Sequence, residues 1–260
     1  MRAALRAATR LTVDGAGTQR VRWAHAWPVV LRQTGPERVH LVHAAGGPLG
    51  GDDLELTVDV GAGARLSVHS AGATLVQPGA GTAAGSAARW SVTIRVGCGG
   101  VLAWAPEPTV VSDGAALDAT LRVELAAGAV ATLREVVVLG RHGQRGGRYV
   151  GGLEVVVGGV PLLVHTTVLD GADAALRGPA GTAEARAVGT LVHAGGDVPA
   201  SRSGETAGAR WAWTPLEGPG AVLMAVGTPS AVAAVLDTET GIVSRTPVPD
   251  PAGPAALVGV

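Results

Sequence analysis

The chain has 260 residues, 47% of them hydrophobic and 3% aromatic, with a formal net charge of −1. That much apolar material supports a packed core and excludes a disordered chain, and the lack of a basic tract excludes an electrostatic nucleic-acid footprint. Cys98 is the single cysteine, which excludes an intrachain disulfide and suits a reducing compartment. With no Phe and one Tyr, the core is expected to be built from Val, Leu and Ala. The 40 Gly and 16 Pro predict many turns and few long helices. All 20 basic residues are Arg, which a GC-rich genome explains without a functional reason.

The basic start is followed not by an apolar run but by Arg10, Asp14 and Arg20, so no signal peptide is expected. No uncharged apolar run is long enough to span a membrane, and the expected address is the cytoplasm. One domain is expected over 1–260: N-terminal strands at 1–40, a core at 41–192, a variable part at 193–245 with strands and a short helix, and a flexible, proline-rich tail at 246–260.

Along the chain the dominant signal is period-2 alternation. Residues 54–60, 90–96 and 121–125 each put apolar side chains on one face and polar ones on the other, the pattern of half-buried strands. Each run ends at a small-residue turn, centred on Gly63, Gly99 and Gly128, and restarts as a second apolar segment. The expectation is three related hairpins, stacked or packed because one hairpin cannot bury its own apolar face. Their uneven spacing argues against a strict solenoid. Further strands are predicted at 136–139, 153–157 and 162–169, with the Val triplets at 136–138 and 155–157 buried on both faces. Residues 195–220, rich in Gly, Ser and Pro, read as a long loop. A helix is predicted at 228–237, where Thr228 can cap and Pro229 suits the first turn.

No Walker loop, dinucleotide fingerprint, HExxH or CxxC is present. The segment Gly46-Gly47-Pro48-Leu49-Gly50-Gly51 looks like a phosphate cradle but lacks the Lys-Ser/Thr ending and precedes a strand. The seven histidines are scattered, and none has helical metal-ligand spacing. Asp52, at the exit of the glycine segment, reads from the residues alone as a cap on its own turn. Glu135 is an acid inside an apolar strand and needs a partner if buried, with Arg141 the candidate.

Five segments in order resemble the UreD (UreH) family of urease accessory proteins. They are the strand 41–45 with Gly46, Gly47, Gly50, Gly51 and Asp52; the small-residue stretch 66–74 ending in Thr74; the corner Trp104-Ala105-Pro106-Glu107-Pro108; the strand 133–139 with Glu135, closed by Gly140 and Arg141; and the pair 153–155 and 161–165. A weaker match lies at 188–191. The chain departs from the family's pattern at 75–77, at 142–149, where a Gly-Glu pair is missing, and at His165, which stands where relatives often have an acid.

The resemblance implies an all-β, elongated, stacked-sheet (β-helix-like) body with a few short helices. It implies a non-enzymatic scaffold that joins UreF and the GTPase UreG to apo-urease, in assemblies that can pair as dimers. It implies nickel ions in transit and no stably bound cofactor. Asp52, Thr74 and Glu135 are the expected path residues, with His165 a weaker member. Gly46, Gly47, Gly50, Gly51, Trp104, Pro106, Gly140 and Arg141 are the expected structural positions. Competing readings are an all-β binding module without a role in metal delivery, which would show a row of exposed aromatics, and an enzyme on a β scaffold, which would need a paired catalytic site. Trp211 and Trp213 share a face, but the six Trp form no single row.

Overall fold

A computed structural model of the chain describes residues 4–15, 19–79, 86–198 and 200–243, and the tail expected to be flexible lies outside them. Among the described residues the architecture is all-β, as the alternation predicts, with two helices.

Two antiparallel pairs open the chain: β1 (Arg6–Asp14) with β2 (Arg20–Ala24), and β3 (Val29–Gly35) with β4 (Arg38–His43). The chain then winds between two sheets. β5 (Asp53–Val60), β8 (Ala87–Val96), β11 (Ala116–Leu125) and β13 (Arg148–Val157) lie side by side in one sheet. β6 (Arg65–Ser70), β9 (Val101–Ala105) and β12 (Val130–Leu139) lie side by side in the other, beside β4. Short strands β7 (Thr74–Val76) and β10 (Thr109–Val111) pair with each other, and β10 pairs with the end of β12. β14 (Val160–Asp170) folds back antiparallel on β13. After α1 (Ala174–Arg177), the strands β15 (Ala187–Ala194), β16 (Arg202–Thr206), β17 (Ala209–Pro215) and β18 (Gly220–Gly227) extend the second sheet. α2 (Pro229–Val243) closes the described chain.

The turns at Gly63, Gly99 and Gly128 are not hairpins. Each carries the chain from the first sheet to the second, and the strands pair in parallel with their equivalents one coil later: β5 with β8 and β11, β6 with β9 and β12. The three glycines have φ near +67°, the left-handed conformation such a corner requires. Corner stacks on corner, since the Gly63 N–H donates to the Cys98 carbonyl at 2.9 Å and the Gly99 N–H to the Ala127 carbonyl at 3.2 Å. Alternation and a glycine turn are common to a hairpin and to a solenoid corner, so the sequence alone could not separate them.

The inner faces bury Leu54, Val58, Ile94, Val123 and Val155 of the first sheet against Val39, Val68, Leu102 and Leu133 of the second. Each such side chain contributes about 1.5–3 kcal/mol of transfer free energy. The stretch 195–220 is also corrected: it holds the β16–β17 hairpin, with Trp213 fully buried. Gly195, Gly196, Gly208 and Gly218 lie between strands, but Ser203 and Gly204 lie within β16, so composition alone hid the strand. Val136, Val137 and Val138 are all buried, as the triplet suggests, and so are Val155 and Val156.

Candidate functional site

Between the sheets, near the β4 and β12 ends, lies a cavity of about 730 Å³ including its mouth. It has room for a few water molecules. Trp90, Val92, Leu121 and Tyr149 wall it from the first sheet. From the other side come Thr74, Trp104, Pro106, Glu135 and, at the end of β4, His43. Strand alternation turns Trp90, Val92 and Trp104 inward, and pairing of β7 with β10 sets Thr74 beside Thr109 at the wall.

Glu135 accepts a hydrogen bond at 2.7 Å from the hydroxyl of Tyr149, the only tyrosine of the chain. Burial pushes the Glu135 carboxyl above the ordinary carboxylate range, and the Tyr149 hydrogen bond partly offsets this. Burial first, and then the neighbouring carboxylate, pushes the Tyr149 hydroxyl well up. Gly151 lets the phenol lie flat along its own strand, since a Cβ there would stand 2.4 Å from the hydroxyl oxygen. Arg141 is not the partner of Glu135. The Gly140 turn, at φ +69°, carries it to the exposed surface, where its carbonyl accepts from Arg186 at 2.6 Å. Among the described residues no cationic side chain reaches Glu135, so one carboxyl group shares the cavity with Thr74, Tyr149 and His43, and Glu107 lies at its exposed rim. Such a set can hold a cation weakly through oxygen and nitrogen atoms.

His43 was missed by sequence reasoning, as was Tyr149. The His43 ring packs edge-on against Trp90, with centroids 5.6 Å apart, and its Nδ1 is buried without a hydrogen-bond partner among the described residues. Burial lowers its pKa. The signals available were the position of His43 three residues before Gly46, at the entry to the glycine segment, and the singularity of Tyr149.

Asp52 lies outside this cavity. It is 2% exposed; Oδ1 accepts from the Leu5 N–H at 2.8 Å and Oδ2 from the Leu49 N–H at 3.0 Å. It thus ties the glycine segment to the start of β1, the capping geometry its sequence position suggests. Asp52 borders a tighter space of about 170 Å³ whose wall includes His43 and Pro48, residues that also wall the larger cavity. Gly46, Gly47 and Gly51 all take positive φ, and a Cβ on Gly50 would stand 2.6 Å from the Ser86 carbonyl, so this loop is built for glycine. His165 sits apart on β14, opposite Leu153, with Nε2 3.0 Å from the Thr167 hydroxyl. Trp104, 4% exposed, anchors its corner, and the Pro106 carbonyl accepts from Arg134 at 2.7 Å. The structure therefore brings Thr74 and Glu135 to one cavity, sets Asp52 behind its wall and leaves His165 elsewhere. Among the described residues, no three His, Cys, Asp or Glu side chains converge to hold a metal ion, and no helix is long and apolar enough to cross a membrane.

Comparison with known proteins agrees with the ordered motifs. The family model described as UreD urease accessory protein matches residues 2–245. A urease accessory protein UreD from Parafrankia sp. is 37% identical over 265 residues, covering 92% of this chain and 88% of its own. One from Frankia casuarinae is 37% identical over 86% of this chain and 85% of its own. One from Streptomyces coelicolor is 41% identical over 76% of this chain and 80% of its own. With the match running through both sheets and through α2 into the end of the described chain, this protein belongs to the UreD urease accessory protein family.

Proposed function

We propose that the chain serves urease maturation in the cytoplasm as a non-enzymatic accessory protein: it links UreF and the GTPase UreG to apo-urease and passes nickel ions through the cavity between its sheets. The observation that carries this reading is Glu135, a carboxyl group walled into a cavity with room for water and no cationic partner among the described residues. A unit charge 4 Å from a carboxylate gains about 4 kcal/mol at an effective dielectric of 20. That attraction is offset by the loss of hydration, so one carboxylate with hydroxyl neighbours binds a divalent ion weakly and lets it leave. A cluster of thiolates would hold nickel too tightly for transfer.

The test is urease activation in cells producing the urease subunits, the partner proteins and this chain. Glu135→Ala with Asp52→Ala is expected to lower urease activity and nickel content while the accessory complex still co-purifies with apo-urease. Full activation by the double variant would end the path assignment.

A further inference from the structure

We propose that His43 is a nitrogen ligand for the divalent cation, placed where the Asp52 pocket and the Glu135 cavity share a wall; this rests on the transit reading above. Three observations converge on it. His43 and Pro48 are the two residues that border both spaces. The His43 Nδ1 is buried and has no hydrogen-bond partner among the described residues. The smaller space has no room for a water molecule, so the His43 ring lies against a tight pocket on one side and a wet cavity on the other.

A buried ring nitrogen without a partner costs about 1–3 kcal/mol. A purely structural position would be served as well by an apolar side chain. A nitrogen lone pair retained against that cost suits a borderline metal such as nickel. Burial lowers the pKa of the ring and so favours its neutral form, the one that can ligate. The titratable groups around it are Glu135 on β12 of the same sheet, Tyr149 on β13 of the opposite sheet, Glu107 at the cavity rim and Asp52 in the smaller space. A cation bound at His43 would thus have a carboxyl group in each of the two spaces the ring borders.

The experiment compares full-length His43→Leu, His43→Gln and His43→Cys chains in the activation system above. Readouts are urease activity, co-purification of the assembly, and nickel content of the purified accessory complex after gel filtration with Ni2+ alone. His43→Leu is expected to lower activation about tenfold or more with assembly intact, and His43→Gln to lower it similarly. His43→Cys is expected to retain nickel through gel filtration and to release it slowly to urease, because a thiolate binds the ion more tightly. If His43→Leu prevents folding, the Gln and Cys variants decide. Activation by the Gln variant equal to the parent, or a Cys variant that retains no extra nickel, overturns the assignment. If Glu135→Ala lowers activation while the His43 variants do not, only the His43 role falls. If neither residue matters, the transit reading falls with it.

Discussion

Glu135 and His43 respond to pH in opposite senses. The Glu135 carboxyl is raised by burial, so the folded protein holds its proton more tightly than the unfolded chain does. Its contribution is fully present below the ordinary carboxylate pKa and is lost as pH rises through the raised one. His43 and His193 are lowered by burial, so their contribution is present above the ordinary imidazole pKa and lost as pH falls through the lowered values. Glu135→Gln is therefore expected to raise the denaturation midpoint at neutral pH while leaving it near the parent's in acid. A pH series of denaturant midpoints checks this, and a Gln variant less stable at neutral pH would contradict a strained carboxylate. Tyr149→Phe removes the donor to that half-buried carboxyl and is expected to cost about 1–3 kcal/mol, most of it where Glu135 is ionised. Glu135 was legible in the sequence as an acid among apolar strand residues. Its partner was not, because Tyr149 lies one strand further on and nothing local announces that their side chains meet.

At the scale of the element, the winding between sheets was half legible. Strand positions followed from alternation. Pairing did not, because the residues that fix it are inter-strand neighbours such as Leu66 with Leu102 and Val68 with Trp104, which no local window joins. α2 shows the same division. Its start was legible, since Thr228 accepts a long hydrogen bond from the Ala231 N–H at 3.4 Å and Pro229 opens the helix, but it runs past the predicted end to Val243. Its docking is tertiary. Gly189 on β15 leaves space for Val232 and Leu236, and a Cβ there would stand 2.6 Å from Val232. Arg134 Nε lies 3.1 Å from Asp237 Oδ1, an ion-pair distance without hydrogen-bond alignment. Near the other end, Glu239, 5% exposed, takes a 2.8 Å hydrogen bond from the Trp213 indole and pairs with Arg202. Glu239→Ala would leave a buried indole N–H without its acceptor, a loss of about 1–3 kcal/mol. The expected result is a lower melting temperature together with a red-shifted tryptophan emission as the β16–β17 hairpin loosens. An unchanged emission would show that the hairpin does not depend on the helix.

Across the whole molecule, the outer face of the first sheet carries a ladder of charge pairs. Asp53 meets Arg89 at 3.1 Å, Arg95 lies between Asp59 at 3.4 Å and Glu124 at 3.7 Å, and Arg122 joins Glu124 to Glu154. Each pair is exposed and contributes little singly, but together they keep that face wetted and discourage association. The ladder stops at β13. Beyond it, β14 is the last strand of the sheet, and Val164 and Val168 stand 73% and 55% exposed opposite Glu154 and Val150. An eleven-residue edge strand with exposed valines and no Lys or Arg is a template for unwanted pairing with another chain. Val164→Lys extends the charged pattern by one strand without touching the core, so stability should stay within about 0.5 kcal/mol of the parent. The isolated variant chain is expected to show less aggregate by light scattering at equal concentration, at an unchanged melting temperature. Equal aggregation in parent and variant would place the association-prone surface elsewhere than on this edge.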